Sequence, residues 1–228
     1  MKIQNKKSSF DMDEFRLRML KYTTKTFQRI PIIENPTILD VGCGSGIPTI
    51  ELAKLSNGSI KAIDINSEEI RKLKNRMREE HFADQIEPFE CSLFETPFQS
   101  ESFDIIWAEG VFHIIGFEKA FKESNRLLKK GGFLVLNEVM RGMEPNLERL
   151  SHVGFKLYDK MKLPEGAWWD DFYKPMEKKI KDLRKISPRS LDNEKIRECE
   201  KEIKMLKKNP NAFDCAFYIL QKVENIGR

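Results

Sequence analysis

The stretch from Ile38 to Leu52 reads ILDVGCGSGIPTIEL, and it decides which fold the chain adopts. An apolar run leads into Asp40, three glycines follow at alternate positions, and a helical pattern begins after Gly46. Glycine lacks a Cβ, so a turn rich in glycine lets the backbone reverse sharply and approach a ligand closely. The stretch therefore predicts a buried strand, a ligand-binding turn and a helix.

Strand-like and helical patterns alternate on both sides of this stretch. The strand-like runs are residues 37–41, 59–64, 86–91, 103–109 and 132–138, and the helical patterns are 47–56, 67–81 and 117–129. Strands that are apolar on both faces and alternate with helices are typical of a parallel sheet covered by helices. We predict an α/β fold with a Rossmann-like, doubly wound sheet. The run from Lys129 to Gly132 (KKGG) predicts the end of the helix over 117–129.

The two ends of the chain have a different character. Residues 1–8 are polar and expected to be disordered, and a helix is predicted over 11–30. The last third predicts, in order, a helix over 146–153, a strand over 154–163, two helices separated at Ser187-Pro188, and a closing strand over 212–223. We expect a single domain made of an N-terminal helical segment (1–35), a cofactor-binding core (36–163), a helical insertion or lid (164–210) and a closing strand (211–228).

Composition excludes several functional classes. The net charge is only +4, with 40 basic against 36 acidic side chains, and the two signs are interleaved, which gives no electrostatic case for nucleic acid. No apolar run approaches the ~20 residues that cross a bilayer, and MKIQNKKSSF lacks the apolar centre of a signal peptide. Four cysteines and three histidines show no metal-ligand spacing. We expect a cytoplasmic protein without metal, membrane or nucleic-acid binding; the sequence indicates no oligomeric state.

The glycine spacing and two carboxylates indicate the ligand. A dinucleotide fingerprint requires a third glycine at position 47, which is Ile47, and the phosphate-binding GxxxxGK[ST] pattern is also absent. Asp40 beside the turn would repel a pyrophosphate and attract an ammonium group. Asp64, at the end of the second strand, is placed to accept hydrogen bonds from ribose hydroxyls. S-adenosylmethionine has a ribose, an ammonium and a carboxylate, and it has no phosphate.

These motifs resemble the class I S-adenosylmethionine-dependent methyltransferases, in the small-molecule branch that includes ubiquinone-biosynthesis-type enzymes. The matching segments, over about residues 36–140, are Asp40–Gly46, Ile63–Ile65, Leu93–Phe98, Phe103–Glu109 and Leu127–Glu138. The resemblance implies a seven-stranded sheet whose last strand is antiparallel, S-adenosylmethionine as cofactor with S-adenosylhomocysteine as product, and a small-molecule methyl acceptor. The cofactor-binding residues so predicted are Asp40, Gly42, Cys43, Gly44, Gly46, Asp64, Ile65, Ser92, Leu93 and Glu109.

Two features depart from what related families show. Ser92 stands where this family commonly has an aspartate that accepts from the adenine amino group, and a neutral hydroxyl is a weaker partner. Backbone groups and stacking against Leu93 or Ile65 are expected to hold the adenine instead. The stretch WAEG at 107–110 also lacks the NPPY-like pattern of enzymes that methylate DNA bases.

Catalytic candidates should lie at the ends of the fourth and fifth strands. Glu109 and His113 are predicted to be catalytic, with a general base needed only if the acceptor must lose a proton of high pKa. The open alternatives are a backbone-anchoring role for Glu109 and a structural role for His113. The residues predicted to contact the substrate are Tyr22, His113, Glu138, Trp168 and Tyr173, although the aromatic pair is equally explained as packing of a helix on the sheet.

Two other functions remain open at this point. A protein or RNA methyltransferase is favoured by the basic residues of the insertion, which are Lys178, Lys179, Lys181, Arg184, Lys185 and Arg189. Glu177 and Asp182 interrupt this stripe, which fits a solvated helix better. A non-catalytic module that binds S-adenosylmethionine is favoured by Ser92. The sequence does not indicate which acceptor atom receives the methyl group.

Overall fold

A seven-stranded sheet forms the centre of the protein in a computed structural model that describes residues 10–186, 194–209 and 213–223. The strands lie in the order β3-β2-β1-β4-β5-β7-β6, and β7 is antiparallel to both β5 and β6 while the other neighbours are parallel. This confirms the predicted α/β sheet with an antiparallel last strand. The strands are β1 (Thr37–Val41), β2 (Ser59–Asp64), β3 (Ile86–Glu90), β4 (Phe103–Glu109), β5 (Leu128–Val139), β6 (Phe155–Lys162) and β7 (Cys215–Lys222).

Eight α-helices and three shorter turns of helix connect these strands in the described part of the chain. The α-helices are α1 (Asp13–Phe27), α2 (Ile47–Ser56), α3 (Ser67–Glu79), α4 (Phe112–Ile115), α5 (Phe117–Leu127), α6 (Met140–Leu147), α7 (Lys174–Ile186) and α8 (Glu194–Lys208). The 3-10 turns are Leu93–Glu95 and Leu150–Val153, and a π-helical turn spans Trp169–Tyr173. Asn66 begins α3 by accepting hydrogen bonds from the amides of Glu68 and Glu69 through its side chain.

Apolar side chains cover both faces of the sheet. On one face, Leu136 and Tyr218 belong to a buried cluster that includes Phe121 of α5 and Met143 of α6. On the other face, the fully buried Trp107 has its ring centre 6.2 Å from that of Phe27 in α1 and 5.9 Å from that of Phe217 in β7. Helices thus pack on both sides, as a doubly wound sheet requires.

Two predicted boundaries are wrong. The helix predicted over 117–129 ends at Leu127, because Leu128 is extended, fully buried and paired with Phe103 in the sheet. The KKGG run is therefore part of β5, where Lys129 Nζ lies 2.8 Å from Asp104 Oδ2. The helix predicted over 146–153 instead begins at Met140, directly after β5. The segment from Leu150 forms only a 3-10 turn, and Gly154 ends it in the left-handed region.

Some predictions fall partly outside the described residues. These are the polar start over 1–8, the helix break at Ser187-Pro188, and the first residue of the closing strand at 212. The described part of that strand, β7, begins at Cys215.

The chain divides into two compact units, one of Leu20–Leu163 with Cys215–Arg228 and the other of Met1–Met19 with Pro164–Asp214. The first unit contains the sheet. The second is helical, and its core comprises Phe15, Phe172, Tyr173, Met176, Ile180, Leu183, Ile196, Cys199, Ile203 and Leu206. No helix within the described residues is both long enough and apolar enough to cross a membrane.

The turn after β1 requires glycine at its last position. Gly46 has a φ of +83°, and a Cβ added there would clash with the side chain of Leu73. Leu73 lies on α3 and is completely buried. Gly131 also has a positive φ, of +74°, but a Cβ there would meet nothing within 4 Å.

Gly46→Ala should therefore lower the free energy of unfolding by about 2–5 kcal/mol, from left-handed strain and overpacking together. Gly131→Ala supplies the matched control and should cost only the strain, about 1–2 kcal/mol. Urea unfolding followed by circular dichroism measures both. Equal losses in the two variants would show that contact with Leu73 does not constrain the turn.

Candidate active site

The glycine turn is fixed to the end of β2 by backbone hydrogen bonds. The amides of Gly42 and Cys43 both donate to the Ile63 carbonyl, at 2.8 and 3.0 Å. The amide of Gly44 donates to Asp64 Oδ2 at 2.9 Å, and the amide of Asn66 donates to Oδ1 of the same carboxylate at 2.8 Å. Asp64 therefore holds the turn in place while its half-buried carboxylate keeps lone pairs for a further ligand.

Asp40 is a buried carboxylate with a single hydrogen bond from the described residues. It is 2% exposed, and Thr49 Oγ1 donates to its Oδ2 at 2.6 Å. Burial raises the pKa of Asp40 to about 7; the bond from Thr49 opposes this rise, and the negative charges of Glu109 and Asp64 add to it. Asp40, near the end of β1, therefore lies close enough to Asp64 of β2 and Glu109 of β4 to be repelled by both carboxylates.

Glu109 receives two hydrogen bonds on one oxygen. Trp107 Nε1 and Thr23 Oγ1 each donate to Glu109 Oε1 at 2.8 Å. Burial raises the pKa of Glu109, and these two bonds lower it. Within residues 10–186, 194–209 and 213–223, no lysine, arginine or histidine pairs with Asp40, Asp64 or Glu109. The site is thus suited to a ligand that brings its own positive charge.

A histidine and a glutamate form a second arrangement at the neighbouring strand end. His113 Nδ1 lies 2.8 Å from Glu138 Oε2, and the amide of Phe112 donates to Glu138 Oε1 at 2.7 Å. The Glu138 side chain is buried, whereas that of His113 is 52% exposed. When Nδ1 donates to the carboxylate, Nε2 is left as an acceptor directed away from Glu138. This geometry suits a general base oriented by a buried acid.

The remaining predicted cofactor residues take different positions. Ile65, next to Asp64, is 77% exposed, whereas Leu93 is buried in the core below. Ser92 accepts a hydrogen bond from the Phe94 amide at 3.2 Å and begins a 3-10 turn. The Cys43 thiol is buried, and burial followed by the charges of Asp40 and Asp64 raises its pKa, which makes it unreactive.

The predicted substrate residues are divided between the two units. Tyr22, His113 and Glu138 belong to the sheet-containing unit, where Tyr22 is 5% exposed and Lys21 Nζ lies 5.0 Å from its ring centre. Trp168 and Tyr173 belong to the helical unit, where their ring centres are 6.2 Å apart and Tyr173 Oη donates to Glu202 Oε2 at 3.0 Å. Packing therefore accounts for both aromatic side chains, and their contact with a substrate stays a prediction.

Three residues of the site were not predicted from the sequence. These are Thr23, Thr49 and Trp107, which supply the donors to Asp40 and Glu109. Thr49 lies nine positions beyond Asp40, a spacing that joins a strand end to the first turn of the next helix. Thr23 is 86 positions from Glu109, and no local pattern indicates such a contact.

Comparison with known proteins shows which family the central part of the chain resembles. Residues 39–136 match a family model described as a methyltransferase domain. These residues are therefore similar to a methyltransferase domain. The match runs from the middle of β1 into β5, so it includes the glycine turn, Asp64, Glu109 and His113. The resemblance to class I methyltransferases stated from the sequence is confirmed.

Individual relatives match a comparable part of the chain. Methyltransferase GfsG of Streptomyces halstedii is 26% identical over 121 residues, which are 53% of this chain and 44% of that protein. The 27-O-demethylrifamycin SV methyltransferase of Amycolatopsis mediterranei is 26% identical over 140 residues, 59% of this chain and 52% of that protein. The chain spans about half the length of the curated relatives it matches.

Solved structures share the fold over most of the chain. The cyclase SpnF has a TM-score of 0.76 at 18% identity and covers 89% of this chain and 80% of its own. Geranyl diphosphate C-methyltransferase from Streptomyces coelicolor, in complex with Mg²⁺, geranyl diphosphate and S-adenosyl-L-homocysteine, has a TM-score of 0.66 at 15% identity and covers 90% and 77%. At such identities the likeness shows the fold alone.

The folded protein should become more stable at neutral pH when the carboxyl of Asp40 is replaced by an uncharged group. The pKa of Asp40 is about 7, above the ordinary value of 3.8. The folded protein therefore binds the proton of the Asp40 carboxyl more tightly than the unfolded chain does. The stability of the fold that depends on a protonated Asp40 is fully present below pH 4 and is lost as the pH rises through about 7.

Asp40→Asn should accordingly leave the free energy of unfolding nearly unchanged at pH 4 and raise it at pH 8, by up to about 4 kcal/mol. The asparagine oxygen still accepts from Thr49. Urea unfolding at both pH values tests this, and a variant that is less stable than the original at pH 8 would contradict the assigned shift.

Proposed function

We propose that this methyltransferase domain binds S-adenosylmethionine and transfers its methyl group to a small-molecule acceptor, leaving S-adenosylhomocysteine. The observation that supports the proposal is the set of three carboxylates, Asp40, Asp64 and Glu109, around a glycine turn without a paired cation in the described chain. Uncompensated buried negative charge is costly, and a cationic ligand relieves that cost.

Each part of the cofactor has a suitable partner. Asp64 would accept hydrogen bonds from the ribose hydroxyls, and the exposed face of Ile65 would pack on the adenine. Asp40 and Glu109 would face the positive charges of the methionine part. When bound, S-adenosylmethionine supplies a methyl group on a sulfonium, which needs positioning more than activation.

The acceptor class rests on the relatives and on charge. The names of matched proteins include a demethylrifamycin methyltransferase and a sterol 24-C-methyltransferase, whose substrates are small organic molecules. The alternative of a protein or RNA acceptor depended on the basic stripe of α7. In that helix Lys179, Lys181 and Arg184 are ion-paired with Glu14, Glu177 and Glu200. Paired surface charges leave little net attraction for a polyanion, so a small-molecule acceptor is favoured.

His113 is proposed as the general base. Its Nε2 would accept the proton that an acceptor hydroxyl loses as that oxygen is methylated, and Glu138 would stabilise the resulting imidazolium. This role requires an acceptor with a dissociable proton, so alcohols and phenols are favoured over tertiary amines. Glu109 is proposed to serve the cofactor rather than the acceptor, because it interacts electrostatically with Asp40, which directly precedes the glycine turn in sequence.

The wider organisation stays a prediction. It comprises a single domain with an insertion at 164–210 that shapes the acceptor site, and substrate contacts for Tyr22, Trp168 and Tyr173. A cytoplasmic location also stays a prediction, and it rests on four cysteines in the sequence that show no metal-ligand spacing.

Cofactor binding is the first test. Calorimetric titration with S-adenosylhomocysteine should give micromolar binding, and NAD in a parallel titration should give none. Asp64→Ala should abolish binding, because the ribose loses its acceptor and the Gly44 amide loses its anchor. Asp84→Ala is the matched control, since Asp84 is exposed and precedes β3, at the opposite edge of the sheet.

The outcome separates the possible functions. Binding of neither ligand would overturn the proposal, provided that mass spectrometry of the denatured protein detects no cofactor carried through purification. Binding of NAD instead would mean that the glycine turn holds a dinucleotide. Binding of S-adenosylhomocysteine without methyl transfer to a broad panel of acceptors would favour the non-catalytic module.

The proposed base can be tested with any hydroxyl acceptor found in such a panel. His113→Gln should lower kcat about 100-fold or more, while the Kd for S-adenosylhomocysteine changes less than about twofold, because His113 contacts Glu138 and not the carboxylates around the turn. His152→Gln, at an exposed position, is the control. Unchanged kcat in His113→Gln would leave His113 with a structural role only.

A further inference from the structure

Thr23 connects the N-terminal helix to the carboxylate that ends β4. It is 1% exposed, lies in the half of α1 that belongs to the sheet-containing unit, and donates to Glu109 Oε1 at 2.8 Å. A buried hydroxyl in a helix usually bonds to a carbonyl of its own preceding turn, as Thr26 does with the Tyr22 carbonyl at 2.8 Å. Thr23 instead donates its hydrogen bond to a residue of the sheet, so the bond joins α1 to β4.

The second donor to the same oxygen is equally rigid. Trp107 Nε1 donates to Glu109 Oε1 at 2.8 Å, and the fully buried indole is flanked by Phe27 of α1 and Phe217 of β7. With Oε1 held by two donors, Glu109 has its orientation fixed. None of the described residues donates to the other oxygen, Oε2. The carboxylate is therefore held in place with one oxygen available.

We infer that Thr23 is a positioning residue: it holds Glu109 so that Oε2 is presented, ionised, to the positive charge of bound S-adenosylmethionine. The inference rests on the proposed function, since it assigns a role within that cofactor site. It also makes cofactor affinity depend on α1, which carries no residue of the glycine turn.

The protonation of Glu109 gives this role a measurable signature. Burial raises the pKa of Glu109, and the bonds from Trp107 and Thr23 oppose that rise. Losing the Thr23 hydroxyl removes one of the two opposing bonds, so the pKa of Glu109 rises further. As the pH falls, the carboxyl is then protonated earlier than in the unchanged chain, and the cation is bound less tightly. Among the titratable or charged groups on the neighbouring elements, Asp40 interacts electrostatically with Glu109. Others on those elements include Asp64, Glu51, Glu138, His113, Lys21 and Lys25.

The chain itself offers a matched control on the same helix. Thr24 Oγ1 donates to Glu51 Oε1 at 2.5 Å, so it also joins α1 to a carboxylate of the same unit, but that carboxylate lies on α2 and not at the strand ends. Removing the Thr24 hydroxyl weakens the attachment of α1 without altering Glu109.

The experiment measures the Kd of S-adenosylmethionine by calorimetry at pH 6.5 and pH 8.5 for the unchanged chain, Thr23→Val, Thr23→Ser and Thr24→Val. Thr23→Val should weaken binding about tenfold at pH 6.5 and clearly less at pH 8.5. Thr23→Ser should restore the affinity to within about twofold because it keeps the hydroxyl. Thr24→Val should show the same pH dependence as the unchanged chain.

Several results would overturn the inference. Equal weakening by Thr23→Val and Thr24→Val would mean that only helix attachment matters, and a loss in Thr23→Val that is independent of pH would exclude an effect on ionisation. Binding by the unchanged chain together with an unaffected Thr23→Val overturns this inference alone. No binding by the unchanged chain overturns the proposed function and this inference with it.

A folding defect in Thr23→Val is covered by a second measurement. Thr23→Ala is compared with Glu109→Gln and with the double variant, each checked for folding by circular dichroism. Because the two side chains act as one unit in the inference, Thr23→Ala should weaken binding further by less than about twofold once Glu109 is glutamine. Independent, multiplying losses would overturn it.

Discussion

The attachment of the glycine turn to the end of β2 is the constraint on which the rest of the site depends. Two amides of the turn donate to the Ile63 carbonyl and a third donates to the Asp64 carboxylate. The backbone after β1 therefore cannot move without breaking its hydrogen bonds to the end of β2. Arg76 of α3 also donates to the Ser45 carbonyl at 3.1 Å. A turn held from two elements is organised before any ligand arrives, which lowers the entropic cost of binding.

Placing acidic side chains around this turn destabilises the fold electrostatically when no ligand is bound. Asp40 is almost completely buried, its only hydrogen bond from the described residues comes from Thr49, and its neighbours Glu109 and Asp64 are also acids. An uncharged amide at that position would avoid this electrostatic cost and still accept the hydrogen bond from Thr49. A carboxylate at this position is explained if the site binds a cation, because binding sites are commonly less stable than the rest of the fold would allow.

The sequence predicts those features that depend on residues close together in the chain. The turn, Asp40, Asp64 and the alternation of strands with helices follow from one motif and from alternating periodicity, because a buried parallel strand followed by a helix has a short-range signature. The boundary at Leu128 and the start of α6 were mispredicted, since burial and pairing with Phe103 outweigh the local preference of KKGG for a helix end. Thr23 and Trp107 could not be predicted, as their importance arises only when α1 packs on β4.

Glu109, at the end of β4, and Glu138, near the end of β5, differ in their hydrogen-bond partners. Glu109 and Asn137 are paired in register between β4 and β5, so Glu138 lies one residue beyond the level of Glu109 on the neighbouring strand. Glu109 receives only neutral donors and faces other acids, which suits it to a ligand cation. Glu138 receives two backbone amides and an imidazole, which suits it to orienting His113. Environments that separate two carboxylates in this way commonly separate their roles, as we propose here for the cofactor and the acceptor.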